Sequence, residues 1–149
     1  MCKIDGYHYK TTIPIRFADI DAFGHVNNAV YLTYFEIARS VYWKEIIQWD
    51  WGSLGIIVRR SEINYIKQIT LHDQIYAYVR TSRIGGSSFD IDYILVKKTN
   101  GEEEICTTGK TMCVTYDYSL NKSAPIPVFQ RIKMQEFEAL SVISPEFQA

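Results

Sequence analysis

Between Ala29 and Ile47 the apolar residues Val30, Tyr31, Tyr34, Phe35, Ala38, Val41, Tyr42 and Ile46 recur at steps of three and four, while Glu36, Arg39, Ser40 and Lys44 fall on the other side. That spacing predicts one long amphipathic helix over 29–47, with Asn27 or Asn28 as its N-cap. Its apolar face is mostly aromatic, and such a face is buried only against a second layer broad enough to cover it. The rest of the chain has to supply that layer.

It does so with strands. Thr12, Ile13, Ile15 and Phe17 suggest a first strand from Tyr9 to Ala18, in which Pro14 marks an edge or a bulge because it cannot donate to a ladder. After the helix come Ile56–Ile66, Gln74–Ile84 and Ser88–Lys98. Ile75, Ala77 and Val79 alternate with Tyr76, Tyr78 and Arg80, and Phe89, Ile91, Tyr93 and Leu95 alternate with Asp90 and Asp92. Asn100-Gly101 is a tight hairpin turn before a last strand from Glu103 to Tyr116. A short terminal helix over Val128–Leu140, with Phe129, Ile132, Phe137 and Leu140 apolar, closes the chain. The order of strand, long helix and four meandering strands predicts a single α+β domain over 1–149, an antiparallel sheet wrapped around one long central helix.

Composition removes several function classes. Apolar residues are 47% and charged residues 22% of 149, enough for one packed core and against disorder. Sixteen basic and 17 acidic side chains leave a formal net charge of -1. No like-charge run exceeds Glu102-Glu103-Glu104, so no field recruits nucleic acid. Cys2, Cys106 and Cys113 lack CxxC spacing, and on one regular strand Cys106 and Cys113 face opposite sides. They read as free thiols, with no disulfide framework and no metal site. MCKIDGYHYK has no signal-peptide core, and no stretch approaches the roughly 20 apolar residues of a membrane span. A cytoplasmic protein without a membrane partner is expected.

The chemistry gathers in front of the helix, where RFADIDAFGHVNN crowds turn-forming polar groups against the orphan N–H groups and positive dipole end of a helix start. By residue type alone, Asp21 is an Asx-turn residue or helix-entry acid, Asp19 a turn residue or a salt-bridge partner of Arg16, and His25 a turn-stabilising or ligand-contacting histidine. Gly24 fits a positive φ or a close backbone approach to ligand. Glu36 and Arg39 pair along the helix, and Tyr31, Tyr34 and Phe35 belong to the core.

The pattern from Asp19 to Arg39, D-x-D-x-x-G-H-V-N-N-x-x-Y-x-x-Y-x-E-x-A-R, resembles the signature of the hot-dog-fold acyl-CoA thioesterases of the 4-hydroxybenzoyl-CoA type. The strand order and the Gly-Ser segment after Ile84 extend the likeness over nearly the whole chain. The resemblance implies a sheet wrapped around a central helix, a homodimer or homotetramer with sites at the subunit interface, and hydrolysis of an acyl-CoA thioester. It implies no cofactor, coenzyme A being part of the substrate.

By position in the motif, the resemblance makes Asp21 the catalytic carboxylate, either nucleophile or general base, and Asn28 the residue whose backbone N–H polarises the thioester carbonyl. His25 joins them as a candidate. In RIGGSSF, relatives carry a segment that meets the pantetheine and nucleotide of coenzyme A; this implies contacts from Gly86, Ser87 and Ser88, with Arg83 a candidate for phosphate. Gly85 and Gly86 stand where relatives are often basic, and a strand-joining Gly-Gly turn explains them equally. VRRSEINYIKQI resembles the strand along which the coenzyme A arm lies, with Arg59, Arg60, Ser61 and Lys67 as candidates; on a regular strand only one of Arg59 and Arg60 faces the ligand. An acyl-carrier-protein thioesterase and a non-catalytic acyl-CoA sensor are the alternatives. A hot-dog dehydratase fits less well, because His25 with Asp21 matches its acid and base set poorly.

Overall fold

Pro14 decides where the first strand stops. In this computed structural model, which describes residues 4–139, β1 (Tyr9–Ile13) ends one residue before it. The chain then turns through a 3-10 turn, Phe17–Asp19, so the strand expected to reach Ala18 is shorter and Phe17 stands 82% exposed instead of in the core. With no N–H at Pro14 the ladder to the neighbouring strand has no donor to continue it.

The helix follows as α1 (Val30–Tyr42), with Tyr31, Tyr34, Phe35, Ala38 and Tyr42 buried along one face. Beyond Tyr42 the winding widens into a π turn, Trp43–Ile47, which ends at Gln48 in the left-handed region with φ 59. The helix expected over 29–47 is thus 13 α-helical residues plus a wider last turn. The i to i+5 step of that turn brings Ile47 into line with Tyr42, and both are fully buried. The N-cap is Ala29, and Asn27 acts from two residues earlier, its Oδ1 accepting the Ala29 N–H at 2.9 Å.

β2 (Gly55–Tyr65), β3 (Ile75–Ile84), β4 (Ser88–Thr99) and β5 (Glu102–Asp117) lie within two residues of the expected bounds, and a short β6 (Lys122–Ser123) pairs with β5. They form a curled antiparallel sheet in the order β1-β3-β4-β5-β2. Asn100 and Gly101 have φ 52 and 80, the two left-handed residues of a tight hairpin closed by the Thr99–Glu102 pair. The inner face of β4, Phe89, Ile91, Tyr93 and Leu95, packs in the same core as α1. At its centre the Phe35 and Tyr93 rings stack 4.3 Å apart and 4° from parallel. Gly109, opposite Tyr93 on β5, makes room for this: a Cβ there would lie 2.3 Å from the Phe35 ring. On the outer face Arg80, Arg83 and Lys110 pair with Asp90 and Asp92.

Two bulges change which way side chains face. Leu95 pairs with Thr107 and Val96 with Ile105, so Cys106 is an extra residue in β5. The slip cancels the odd spacing, and Cys106 and Cys113 are both fully buried in the same core instead of on opposite faces. Both are free, and burial pushes the Cys113 thiol up to about 12. Cys2 lies outside the described residues. Arg59 is likewise an extra residue in β2, which removes the strict opposition expected of Arg59 and Arg60.

The terminal helix α2 (Val128–Glu138) buries a face that differs from the expected one. Gln130, Met134 and Glu138 point inward at steps of four, whereas Phe129 and Ile132 are 54% and 45% exposed; Leu140 lies outside the described residues. The polar residues go in because partners wait for them. Gln130 Nε2 donates to Gln48 O, and Glu138 Oε2 accepts the Thr81 N–H at 2.9 Å and the Tyr42 hydroxyl. Among the described residues no helix is long and apolar enough to cross a membrane.

Burial pushes the Glu138 carboxyl up to about 7, against the opposing pull of Tyr42 and Thr81. The folded state therefore holds this proton more tightly than the unfolded chain, and the stability it contributes is complete below the ordinary glutamate value and lost as pH rises through 7. Urea unfolding at pH 5 and pH 8 should show Glu138→Gln gaining about 2 to 3 kcal/mol on the wild type over that interval. An equal difference at both pH values would contradict this.

Candidate active site

The loop before α1 is built on two aspartates with different tasks. Asp19 is 1% exposed. Its Oδ2 accepts the Arg16 N–H at 3.0 Å and the Tyr34 hydroxyl at 2.7 Å, and its Oδ1 accepts Arg16 Nε and Nη2 at 3.0 and 2.9 Å. Its backbone carbonyl takes the Asn27 N–H at 2.9 Å. Burial acts to raise its pKa, but these donors outweigh it and hold the carboxyl below its ordinary value. The expected Arg16 ion pair is there, and it makes Asp19 a structural anchor.

Asp21 stands in a five-residue reversal closed by the Ile20–Val26 bridge, with its N–H on His25 O at 2.9 Å and its carbonyl accepting Gly24 N–H at 3.1 Å. Asp21 Oδ1 accepts the Phe23 N–H at 2.9 Å and, more distantly, the His25 N–H at 3.4 Å. The Asx turn expected of this residue therefore exists and uses one oxygen. Oδ2 has no partner among the described residues. Gly24 has φ 84 and open space where a Cβ would stand, so its role is the left-handed turn and not close packing.

At the start of α1 the Ala29 and Val30 N–H groups are satisfied by Asn27 Oδ1 and Asn27 O, each at 2.9 Å. The Asn28 N–H has no acceptor among the described residues, while the Asn28 carbonyl accepts the Tyr65 hydroxyl at 2.8 Å. Asp21, His25 and Asn28 line one cleft of about 700 Å³, together with Tyr65 and the 66–68 segment leaving β2. The cleft thus holds both the residue with an unpartnered carboxylate oxygen and, at the positive end of a helix, the residue with an unengaged backbone N–H, a set suited to attack on a carbonyl whose oxygen gains charge.

Of the other candidates only Lys67 lines this cleft. Gly24 belongs to the same reversal but does not line the cleft; Lys67 lines it and pairs with Glu104 at 3.3 Å. Arg59, Arg60 and Ser61 are exposed on β2, an edge strand, several residues back from Tyr65. Arg60 pairs with Glu62 at 2.7 Å, whereas Arg59 has no carboxylate partner among the described residues. Arg83 is held by both Asp90 oxygens at 3.1 Å and donates to Ser88 Oγ. The Gly85–Ser88 turn joins β3 to β4, and its carbonyls accept from Arg131, Ile126, Thr115 and Gly85 itself. What the sequence alone did not single out is Tyr65, an aromatic at the end of an edge strand, and the polar engagement of Arg83, visible only through the register that sets Asp90 beside it.

Removing the Asp19 carboxylate leaves the buried Tyr34 hydroxyl and the Arg16 N–H without acceptors. Asp19→Ala should cost about 2 to 4 kcal/mol in urea unfolding. A change under about 0.5 kcal/mol would show that the loop does not depend on it.

Comparison with known proteins gives a concordant result. The family model described as the thioesterase-like superfamily matches residues 15–139. A thioesterase from Thermus thermophilus, solved in complex with coenzyme A and zinc, is 33% identical, with a TM-score of 0.77 over 91% of this chain and 97% of that one. The Bacillus subtilis protein YsmA, whose function is not characterised, is 29% identical over 109 residues, 72% of each chain. A 4-hydroxybenzoyl-CoA thioesterase complexed with 4-hydroxybenzoyl-CoA is 13% identical, with a TM-score of 0.77 over 85% of this chain and 97% of that one, and so shares the hot-dog fold. A family match that takes in the reversal, the helix start and every strand from β2 onward leaves one assignment: the chain belongs to the thioesterase-like superfamily and is a thioester hydrolase.

Proposed function

We propose that the protein hydrolyses acyl-CoA thioesters to the free acid and coenzyme A, as one hot-dog domain with Asp21 as nucleophile or general base. The observation that carries this reading is that one cleft is lined by both Asp21, whose Oδ2 is unpartnered, and Asn28, whose N–H is unengaged. Attack on the thioester carbon moves an electron pair onto the carbonyl oxygen, and the Asn28 N–H at the helix start stabilises that charge. Collapse of the adduct expels the coenzyme A thiolate. If Asp21 attacks, the product is a mixed anhydride that water then opens; if it acts as a base, it takes the proton of the attacking water. Either route uses Oδ2, with Oδ1 kept in place by the Phe23 N–H.

His25 borders the cleft beside the reacting group. For the coenzyme A arm the reading assigns Arg59, Ser61 and the small residues Gly86, Ser87 and Ser88. Coenzyme A as carrier of the leaving group is supported by the Thermus relative solved with it. The route needs no metal or redox step. The open edge of β2 suits pairing with a second copy, so a homodimer or homotetramer is part of the proposal. An acyl-carrier-protein thioester is the second reading. It is favoured by the engagement of Arg60 with Glu62 and of Arg83 with Asp90, which reduces the cations free for nucleotide phosphates.

Purified wild type and Asp21→Asn, assayed for thiol release on acyl-CoA and acyl-carrier-protein thioesters, test this. Wild-type turnover should fall at least about 100-fold in the variant with the fold retained. A preference for carrier-protein thioesters selects the second reading. Tight acyl-CoA binding with no turnover by the wild type overturns both in favour of a sensor.

A further inference from the structure

Tyr65 ends β2, yet its hydroxyl leaves the sheet to meet the start of α1. It donates to Asn28 O at 2.8 Å, and its ring stands edge-on to Tyr31, centroids 4.9 Å apart and planes at 86°. Tyr31 is 4% exposed and fixed in the core, so it holds the Tyr65 ring in turn. On the other side of Asn28, the Asn27 N–H is tied to Asp19 O at 2.9 Å. Asn28 is therefore held by Tyr65 at its own carbonyl and through its neighbour Asn27 by Asp19, and the one backbone group this cleft-lining residue leaves free is its N–H.

We propose that Tyr65 is a positioning residue that sets the direction of the Asn28 N–H; the inference rests on the reading of that N–H as the donor to the thioester oxygen. A donor fixed before the charge develops is worth more than one that has to turn toward it. The hydroxyl has little work to do for stability. Asn28 is exposed, so water replaces the lost donor at its carbonyl when the hydroxyl is removed. What water does not replace is the link to β2, whose continuation through 66–68 lines the same cleft. Tyr65 thus ties the donor residue to the strand that continues into the cleft lining.

Tyr65→Phe keeps the ring against Tyr31 and deletes the tether alone. In wild type, Tyr65→Phe and Asp21→Asn measured together, Tyr65→Phe should lower kcat about 10-fold with KM changed less than about twofold, at an unchanged midpoint of thermal unfolding and an unchanged pH profile. The backbone order parameter of the Asn28 amide should fall from about 0.85 toward the flexible range. An unchanged kcat overturns the inference, as does a loss confined to KM or the disappearance of an alkaline limb, which would make Tyr65 a substrate contact or a proton donor. An unchanged order parameter overturns it whatever the activity. A wild type that hydrolyses no thioester while the Asn28 amide loosens in Tyr65→Phe overturns the thioesterase reading and leaves the tether standing.

Discussion

The Asp19 carboxylate is the interaction on which the functional end of the molecule depends. Taking a charge out of water is costly unless hydrogen bonds replace its hydration; here four donors do so at the carboxylate, and a fifth meets the backbone carbonyl of the same residue. They come from three places: the 3-10 turn at Arg16, the helix at Tyr34, and the loop at Asn27. A loop of small polar residues would otherwise sample many conformations, but this knot binds its beginning, its end and the helix to one point. The reversal carrying Asp21 is the segment between those ties, so its geometry is inherited from Asp19.

The helix in turn owes its place to aromatic packing. Phe35 lies flat on Tyr93, Tyr34 reaches Asp19, and Tyr31 meets Tyr65, so successive residues on one face contact the sheet centre, the loop and the edge strand. Three kinds of contact on adjacent turns fix rotation as well as position. The place of the helix start that carries the free N–H follows from these core contacts. Loss of packing well away from the carboxylate would thus disturb the site.

Much of this was legible in the sequence because period and turn chemistry are local. The helix face, the alternation in β3 and β4 and the Asn100-Gly101 turn require only neighbours in the chain. The grouping of Asp21, His25 and Asn28 was legible through the motif's resemblance to the thioesterase signature, all three lying close together in the chain. What escaped depends on contacts across the fold. The bulges at Arg59 and Cys106 are settled by the partner strand and overturn face assignments made from spacing. Phe17 resembles a strand residue until Pro14 has ended the strand. Gln130 and Glu138 face inward on α2 because Gln48, Tyr42 and Thr81 await them, which no hydropathy pattern contains. Tyr65 looked like any aromatic near a strand end, its hydroxyl having a target only once β2 and α1 are side by side.

The bare backbone at Gly109 carries a consequence for how such chains diverge. The Phe35 ring occupies the volume in which a side chain at 109 would begin, so the two positions share a single space. A descendant that gains a methyl on β5 has to surrender ring volume on the helix, and one that keeps a flat aromatic on the helix has to leave β5 empty. Across relatives the two positions should change as a pair, so that a sequence alone reveals which way the space between helix and sheet has been divided.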